Sequence, residues 1–186
     1  IWDELMTDKP VKLSLEGYLF PDTYRIYTST TPEAVVRRLL ANFDAKARPE
    51  LEKLPAGRSL HEVLTMASII EAEVPKDEDR RKVADILWRR LDAGWALQVD
   101  SSVGYVTGHD RERSTAKDLK TDSLWNTYKY PGLPPGPIGN PGLSAIRAAL
   151  NPDPNPYWFY LTGEDNAVHY AKTLEEHVTN KKKYLK

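Results

Sequence analysis

Two carboxylates, Glu71 and Glu73, stand inside the strongly apolar stretch ASIIEAEVP, residues 67–75. An ionised carboxylate without partners is costly to bury, so either the stretch is more exposed than its apolar residues suggest or one of these acids is there for chemistry. Successive residues of an α-helix turn by about 100°, which places Glu71 roughly 20° from Leu60, in the centre of the apolar stripe. Glu73 falls near 220° (roughly), on the opposite side. The pattern predicts that Glu73 is an ordinary solvent-side acid and that the two acids do not share one site.

Glu71 has two interpretations that the residues alone leave open. It is either a buried carboxylate paired with an arginine of the next helix, or a general acid. Apolar surroundings raise the pKa of a carboxyl group, so that it keeps its proton near neutral pH and can donate it to a leaving oxygen. Glycoside cleavage needs such an acid. The arginines available for an ion pair are Arg80, Arg81, Arg89 and Arg90.

Three further motifs carry polar or aromatic groups suited to a sugar. In LQVD, Gln98 and Asp100 are two residues apart, so one face of a strand would present both; they could bind a sugar or merely form a turn. WNTY places the Asn126 amide among aromatic rings, which suits a carbohydrate subsite but also core packing beside a turn. GLPPGPIGNPG, residues 132–142, is predicted to be a stiff loop that forms a cleft wall or a simple turn.

Composition and motifs exclude several classes of function. A net charge of −1 gives no electrostatic footprint for nucleic acid or an anionic membrane surface. The absence of cysteine excludes disulfides and thiolate metal sites. The histidines lack metal-ligand spacing, and there is no serine nucleophile elbow, phosphate-binding loop or dinucleotide glycine motif. No apolar run is long enough to span a bilayer. We therefore predict no metal and no cofactor.

Capping signals and periodicity predict an α+β fold that is mostly helical, with a few short antiparallel strands. Ser59 with Glu62, and Thr173 with Glu176, are capping-box signatures. Pro32 suits the first position of a helix. Helices are predicted over 31–47, 59–74, 77–94, 142–150 and 173–185, a hairpin over 156–163 and 167–172, and short strands around Pro21 in LEGYLFPDTYRIY.

The ordered set of motifs resembles the endolytic murein transglycosylase family, also called YceG-like. The matching stretches are LEGYLFPDTY, ASIIEAE, VADILWRRLDAGWALQVDSSVGY, WNTY, GLPPGPIGNPG, AALNP and TLEEH, and they cover nearly everything from Leu15 to the C-terminus. The sequence departs from the family pattern at Ser101, where the family usually carries proline, and at YAKT, where FSKT is usual. Carried over by motif, the family's catalytic glutamate falls on Glu71.

The resemblance implies a bacterial inner-membrane protein with one N-terminal transmembrane helix and a small LysM-like subdomain. Residues 1–14 would be the tail of that upstream part or a linker. Residues 15–186 would form the catalytic domain on the extracytoplasmic side, a soluble piece once separated from the anchor. The implied partners are peptidoglycan glycan strands and peptidoglycan synthases, with no nucleic acid.

The implied reaction is non-hydrolytic cleavage of the β-1,4 bond between N-acetylmuramic acid and N-acetylglucosamine in nascent strands, leaving a 1,6-anhydro end. Glu71 would act as acid and then as base. Gln98, Asp100, Asn126 and Tyr128 are candidates for glycan contacts. Two other functions stay open. One is a non-catalytic peptidoglycan-binding module, and the other is a scaffold for wall-synthesis proteins.

Overall fold

The structure is a computed structural model that describes residues 9, 12, 14–108 and 114–185. In this part of the chain, α-helices predominate and one two-stranded antiparallel sheet is present, which confirms the predicted α+β class. The elements are α1 (Pro32–Lys46), α2 (Arg48–Leu51), α3 (Leu60–Glu73), α4 (Asp77–Asp92), α5 (Asp100–Thr107), a 3₁₀ turn (Asp118–Lys120), α6 (Leu143–Leu150), β1 (Phe159–Thr162), β2 (Val168–Ala171) and α7 (Leu174–Tyr184). None of these helices combines the length and the apolar character needed to cross a bilayer.

Side-chain caps begin three of the helices at the positions that the sequence predicts. Thr31 accepts a hydrogen bond from the backbone of Ala34, with proline at the first helical position of α1. Ser59 and Glu62 exchange hydrogen bonds in a complete capping box at the start of α3. Thr173 accepts from the backbone of Glu176 at the start of α7. Such caps satisfy amide groups that have no acceptor inside the helix, and each typically contributes about 1 kcal/mol.

Helix α3 lies at the centre of the hydrophobic core and packs against α4, α5 and α6. Its buried side chains are Val63, Leu64, Thr65, Met66, Ala67, Ser68, Ile69 and Ile70. Burying one large aliphatic side chain stabilises a fold by roughly 1.5–3 kcal/mol. The continuous burial of eight residues therefore fixes α3 firmly, and with it the direction in which its C-terminal residues project.

The predicted hairpin is present, with Tyr160 paired to Tyr170 in an antiparallel register. Arg90 of α4 binds the backbone just before β1 of the hairpin. Its guanidinium donates from Nε and Nη2 to the carbonyl of Trp158 at 2.9 and 2.6 Å. Helix α7 packs against both strands. The hairpin and α7 are thereby attached beside the C-terminal end of α3.

The predicted strands around Pro21 are wrong, because residues 15–30 form turns and irregular backbone. The backbone amides of Gly17 and Leu19 both donate to the Asn140 side chain, at 2.8 and 3.2 Å, and not to a neighbouring strand. Gly17 has φ of 89°, and a Cβ there would lie 2.4 Å from Pro137. Alternating aromatic residues resemble a strand pattern, but here Tyr18 and Phe20 are both buried in the core, whereas Tyr27 is exposed.

Candidate functional site

A groove with a volume of about 1120 Å³ runs past the C-terminal end of α3. Its walls come from α3, α4, α5, the 3₁₀ turn, the WNTY segment, the proline-glycine loop, the hairpin and α7. The polar side chains that border it include Glu71, Glu73, Arg90, Gln98, Asp100, Ser101, Tyr128, Tyr160 and His177. Both carboxylates of ASIIEAEVP therefore border one groove, contrary to the prediction that they do not share a site.

Glu73 is the last residue of α3 and is half-buried, which corrects the prediction of a solvent-side acid. One carboxylate oxygen, Oε1, accepts the backbone N–H of Ser101 at 3.0 Å. The other oxygen, Oε2, accepts the hydroxyl of Tyr160 at 3.3 Å. The helical wheel failed because it contains only α3, whereas these two partners lie 28 and 87 residues away along the chain.

Burial is the main cause of a raised pKa at Glu73. Hydrogen bonds from Ser101 and Tyr160 lower the pKa, while the charge of Asp100 raises it, and the net direction is upward. The Arg90 guanidinium lies close enough for the charge of Glu73 to act on the pKa of Arg90. Its hydrogen bonds, however, go to the carbonyls of Leu97 and Trp158 and not to the carboxylate. Among the residues that the structure describes, Glu73 has no ion-pair partner. Its carboxyl is thus harder to ionise than that of an ordinary glutamate.

Glu71 has different surroundings. Its Oε1 pairs with Nη2 of Arg80 at 2.7 Å, and its Oε2 accepts the backbone N–H of Gly142 at 3.0 Å. Arg80 is buried and also contacts Asp77 and the carbonyl of Val74. The side chain of Glu71 is 37% exposed. The ion pair with an arginine of the next helix is therefore present, and the carboxylate links α3, α4 and the start of α6. The catalytic role assigned to Glu71 stays a prediction.

LQVD does not form the strand whose one face would have presented both Gln98 and Asp100. Asp100 is the first residue of α5, and Gln98 has a left-handed backbone with φ of 54°. Such a conformation is uncommon for a residue other than glycine and is found preferentially at functional sites. The backbone N–H of Gln98 donates to the carbonyl of Thr127 at 3.2 Å, which connects this turn to the WNTY segment. The exposed Gln98 and the half-buried Asp100 both border the groove.

Tyr128 and Asn126 differ in their placement, although they are neighbours in WNTY. The Tyr128 hydroxyl donates to Oδ1 of Asp100 at 2.9 Å, and Tyr128 borders the groove. Burial, followed by the charge of Asp100, raises its pKa. Asn126 is only 1% exposed, and its amide donates to the carbonyls of Leu119 and Thr121. A glycan contact by Asn126 stays a prediction, while its contacts indicate that it holds the loop together.

Sequence reasoning missed Ser101, Tyr160, Arg90 and His177 as groove residues. His177 stacks on Phe159, with ring centroids 5.3 Å apart. Burial, helped by the charges of Lys181 and Arg90, lowers the pKa of His177 to about 4, so it is neutral at pH 7. The only available signal was the aromatic content of PYWFYLTG, because the tertiary contact that brings Tyr160 to α3 spans 87 residues. In the described part of the chain, no three His, Cys, Asp or Glu side chains converge as metal ligands do.

Comparisons with known proteins agree with one another. The model of the YceG-like family matches residues 3–183. The chain is 39% identical over 180 residues to an endolytic murein transglycosylase of Bacillus subtilis, covering 96% of this chain and 50% of that protein. It is 33% identical to an endolytic murein transglycosylase of Streptococcus pneumoniae (strain D39), covering 93% of this chain and 33% of that protein. The chain thus spans about half the length of these relatives, or less.

Structural comparison gives the same relationship. The chain resembles the crystal structure of a yceG-like protein from Listeria monocytogenes with a TM-score of 0.82 and 39% sequence identity. The similarity covers 95% of this chain and 58% of that chain.

Proposed function

The chain belongs to the YceG-like family, and on that basis we propose that it cleaves the glycan strands of peptidoglycan as an endolytic lytic transglycosylase. Two relatives that match almost all of the chain carry the name endolytic murein transglycosylase. The observation that carries the proposal is the carboxyl of Glu73. It borders a large groove, burial raises its pKa, and no cation in the described part of the chain pairs with it.

The proposed reaction uses one carboxyl group as acid and then as base. Protonated Glu73 gives its proton to the oxygen that links the muramic acid C1 to the next sugar, and the C1–O bond breaks. The C6 hydroxyl of the same muramic acid attacks C1, and its proton passes to the carboxylate of Glu73. The new C1–O6 bond makes the 1,6-anhydro end, no water is consumed, and the acid returns to its starting form. A second catalytic carboxylate is unnecessary because the substrate supplies the nucleophile.

The contacts favour Glu73 over Glu71 for this role. One carboxylate oxygen of Glu71 pairs with a buried arginine at 2.7 Å and the other accepts a backbone amide of another element, whereas the two oxygens of Glu73 accept only an amide and a phenol. The Glu71 carboxylate is suited to holding α3, α4 and α6 together. The role of Glu71 as the catalytic acid, which the family motif implies, is the alternative that the variants described below distinguish.

Gln98, Asp100 and Tyr128 are the proposed glycan contacts. They border the groove on the side of Glu73, and their amide, carboxylate and hydroxyl groups are the usual hydrogen-bonding partners of sugar hydroxyls. Asn126 is the weakest member of the predicted set, because its side chain is buried and its amide is already bonded within the loop. No metal or cofactor is part of the proposed reaction.

The cellular setting is part of the same proposal. We place residues 15–186 as the catalytic domain of a membrane-anchored bacterial protein that acts on the extracytoplasmic side. Peptidoglycan synthases are the proposed protein partners. These statements rest on the resemblance of the motifs to the family.

The decisive experiment is mass spectrometry of purified peptidoglycan after digestion with the protein. We expect 1,6-anhydro ends at internal positions of the strands, with shorter glycan products. Binding to glycan without any new ends would indicate a peptidoglycan-binding module. If the protein neither bound nor cleaved glycan but captured wall-synthesis proteins through surface residues, the scaffold alternative would hold.

A further inference from the structure

Helix α5 begins without a cap of its own. Its N-cap residue is Val99, whose side chain offers no acceptor, and no side-chain cap is formed there. The first four amides of a helix have no acceptor within it and need one from elsewhere. The amide of Ser101 finds its acceptor in the carboxylate of Glu73, at 3.0 Å, on a different helix. The proposed catalytic acid is therefore also a cap of α5.

We propose that Ser101 is a positioning residue for Glu73 in this chain, because its backbone N–H fixes Oε1 of the carboxylate and favours the ionised form. Proline, which the family pattern usually carries at this position, has no N–H, so the contact distinguishes this chain from that pattern. This inference rests on the proposed role of Glu73. The bond aligns one oxygen toward α5, so that rotation of the carboxyl is restricted. The positive end of the helix dipole acts in the same direction as the hydrogen bond.

The hydroxyl of Ser101 also acts on the carboxyl, and it lowers the pKa of Glu73 more than the backbone amide does. Its Oγ is buried and makes no hydrogen bond of ordinary geometry. It nevertheless lies near enough to contribute to lowering the pKa of the Glu73 carboxyl. The amide, at 3.0 Å, is the contact with full hydrogen-bond geometry. A test must therefore separate the amide from the hydroxyl.

Several other ionisable groups face Glu73, and the tested variants must leave these side chains unchanged. They come from the neighbouring elements α4, α5, the WNTY segment and β1, and they are Arg90, Asp100, Tyr128 and Tyr160. Burial opposes ionisation of the carboxyl, as does the charge of Asp100, whereas the Ser101 and Tyr160 hydrogen bonds favour it. The balance matters because one carboxyl has to lose a proton and regain it within one turnover.

The sharpest comparison is Ser101→Pro against Ser101→Ala. Both substitutions remove the hydroxyl, but only proline removes the N–H, and proline is tolerated in the first turn of a helix. Selective ¹³C labelling of glutamate carboxyls allows NMR titration of Glu73, which Glu73→Gln assigns by loss of its signal. We expect the carboxyl to titrate about one pH unit higher with proline than with alanine, as loss of one charge-assisted hydrogen bond requires. The alkaline limb of the pH–rate profile should move by the same amount.

Equal titration of the two folded variants would overturn the inference. The NMR titration needs no substrate, so a shift without any glycan cleavage would leave the positioning role intact and count against the proposed function alone. If Ser101→Pro did not fold, the wild-type protein still gives a test. The amide resonance of Ser101 should then follow the ionisation of the carboxyl and lose that response in Glu73→Gln. A chemical shift of the Ser101 amide that does not change as the carboxyl of Glu73 titrates would also refute the proposal.

Discussion

The two carboxylates of α3 are two residues apart, yet their surroundings differ in kind. The Glu71 end is a charged junction, where a buried arginine and a backbone amide occupy both oxygens. The Glu73 end lies at the wall of the groove, where the hydrogen-bond donors to the carboxyl are an amide and a phenol. Burial raises the pKa of Glu73, and in the described residues no cation pairs with it.

The difference teaches how to separate a structural acid from a reactive one. A carboxylate compensated by an arginine joins elements of the fold, and removing its charge leaves that arginine unbalanced. A carboxyl that is desolvated without a cation is costly to ionise, and such perturbed groups in clefts are candidates for acid–base chemistry. Glu71 and Glu73 differ in whether a cation compensates the carboxylate. Their positions on the helical wheel do not reveal this difference.

The largest expected effect is that of Glu73→Gln on cleavage. Glutamine has almost the same shape but can neither donate nor accept the catalytic proton. We expect the rate at which anhydro ends appear to fall by at least about 10²–10⁴-fold, the usual value of general acid–base help. Mass spectrometry of digested peptidoglycan measures the ends. Unchanged cleavage by a folded Glu73→Gln, with loss of cleavage in Glu71→Gln, would reverse the comparison and establish the family-based assignment.

The Glu71→Gln variant should lose stability more than chemistry. It removes the charge that pairs with the buried guanidinium of Arg80, while Asp77 remains as a second partner. Because the Glu71 side chain is 37% exposed, we expect a loss of about 1–2 kcal/mol, less than for a fully buried pair. Urea unfolding gives the value, and the folded variant should still produce anhydro ends.

Asp77→Asn is the matched control for Glu71→Gln, since it removes the other carboxylate of the same arginine. The Asp77 side chain is 73% exposed, so we expect a loss of no more than about 0.5 kcal/mol. An equal loss in the two variants would mean that Glu71 gives Arg80 no more than an exposed partner does.

A smaller effect is expected from Tyr160→Phe, which removes the hydroxyl that donates to Glu73 from β1. One hydrogen bond contributes roughly 0.5–1.5 kcal/mol, which corresponds to a change in rate of about two- to tenfold. The pKa of the Glu73 carboxyl should rise, because this bond lowers it in the wild type. Steady-state rates over a pH series provide the test, and an identical pH profile would exclude Tyr160 from setting the state of the acid.

The smallest effect is a pH dependence of stability. Folding raises the pKa of Glu73 above its ordinary value of 4.5 because of burial. Above that pH the unfolded chain has released a proton that the folded protein still holds, so stability falls as pH rises towards the folded pKa. The melting temperature of the wild type should therefore fall relative to Glu73→Gln over this window. Parallel melting curves for the two proteins at every pH would show that Glu73 is not perturbed.

Features encoded by neighbouring residues were predictable from the sequence. The box between Ser59 and Glu62, the proline that opens α1 and the turn between the two strands all depend on residues a few positions apart. The segment around Pro21 misled the prediction, because its backbone bonds to Asn140, more than a hundred residues away along the chain. The sequence left open whether Gln98 and Asp100 stand on a strand face or in a turn, since a left-handed residue before a helix has no periodic signature. Both residues border the groove.

The candidate site was harder to predict than the fold, for a physical reason. A helical wheel ranks side chains by the apolar character of their own helix, and it therefore selected Glu71. The desolvation of Glu73 is produced by the surrounding segments, with Ser101 and Tyr160 in contact with its carboxyl. Arg80 was one of four arginines that the sequence offered as partners of Glu71, and only the packed structure selects it.

The long sequence separation of the contacts around Glu73 has a consequence for folding. Helix α3 can form from local interactions, but the site around Glu73 is complete only after α5 and the hairpin have docked, which are contacts of high loop-closure cost. A partly folded chain would therefore carry an ordinary exposed carboxyl, and the reactive acid would arise in a late step. Pulse-labelling hydrogen exchange should find the amide of Ser101 protected after the amides of α3. The proposed cleavage activity would then arise last, and folding intermediates would be inert towards the wall.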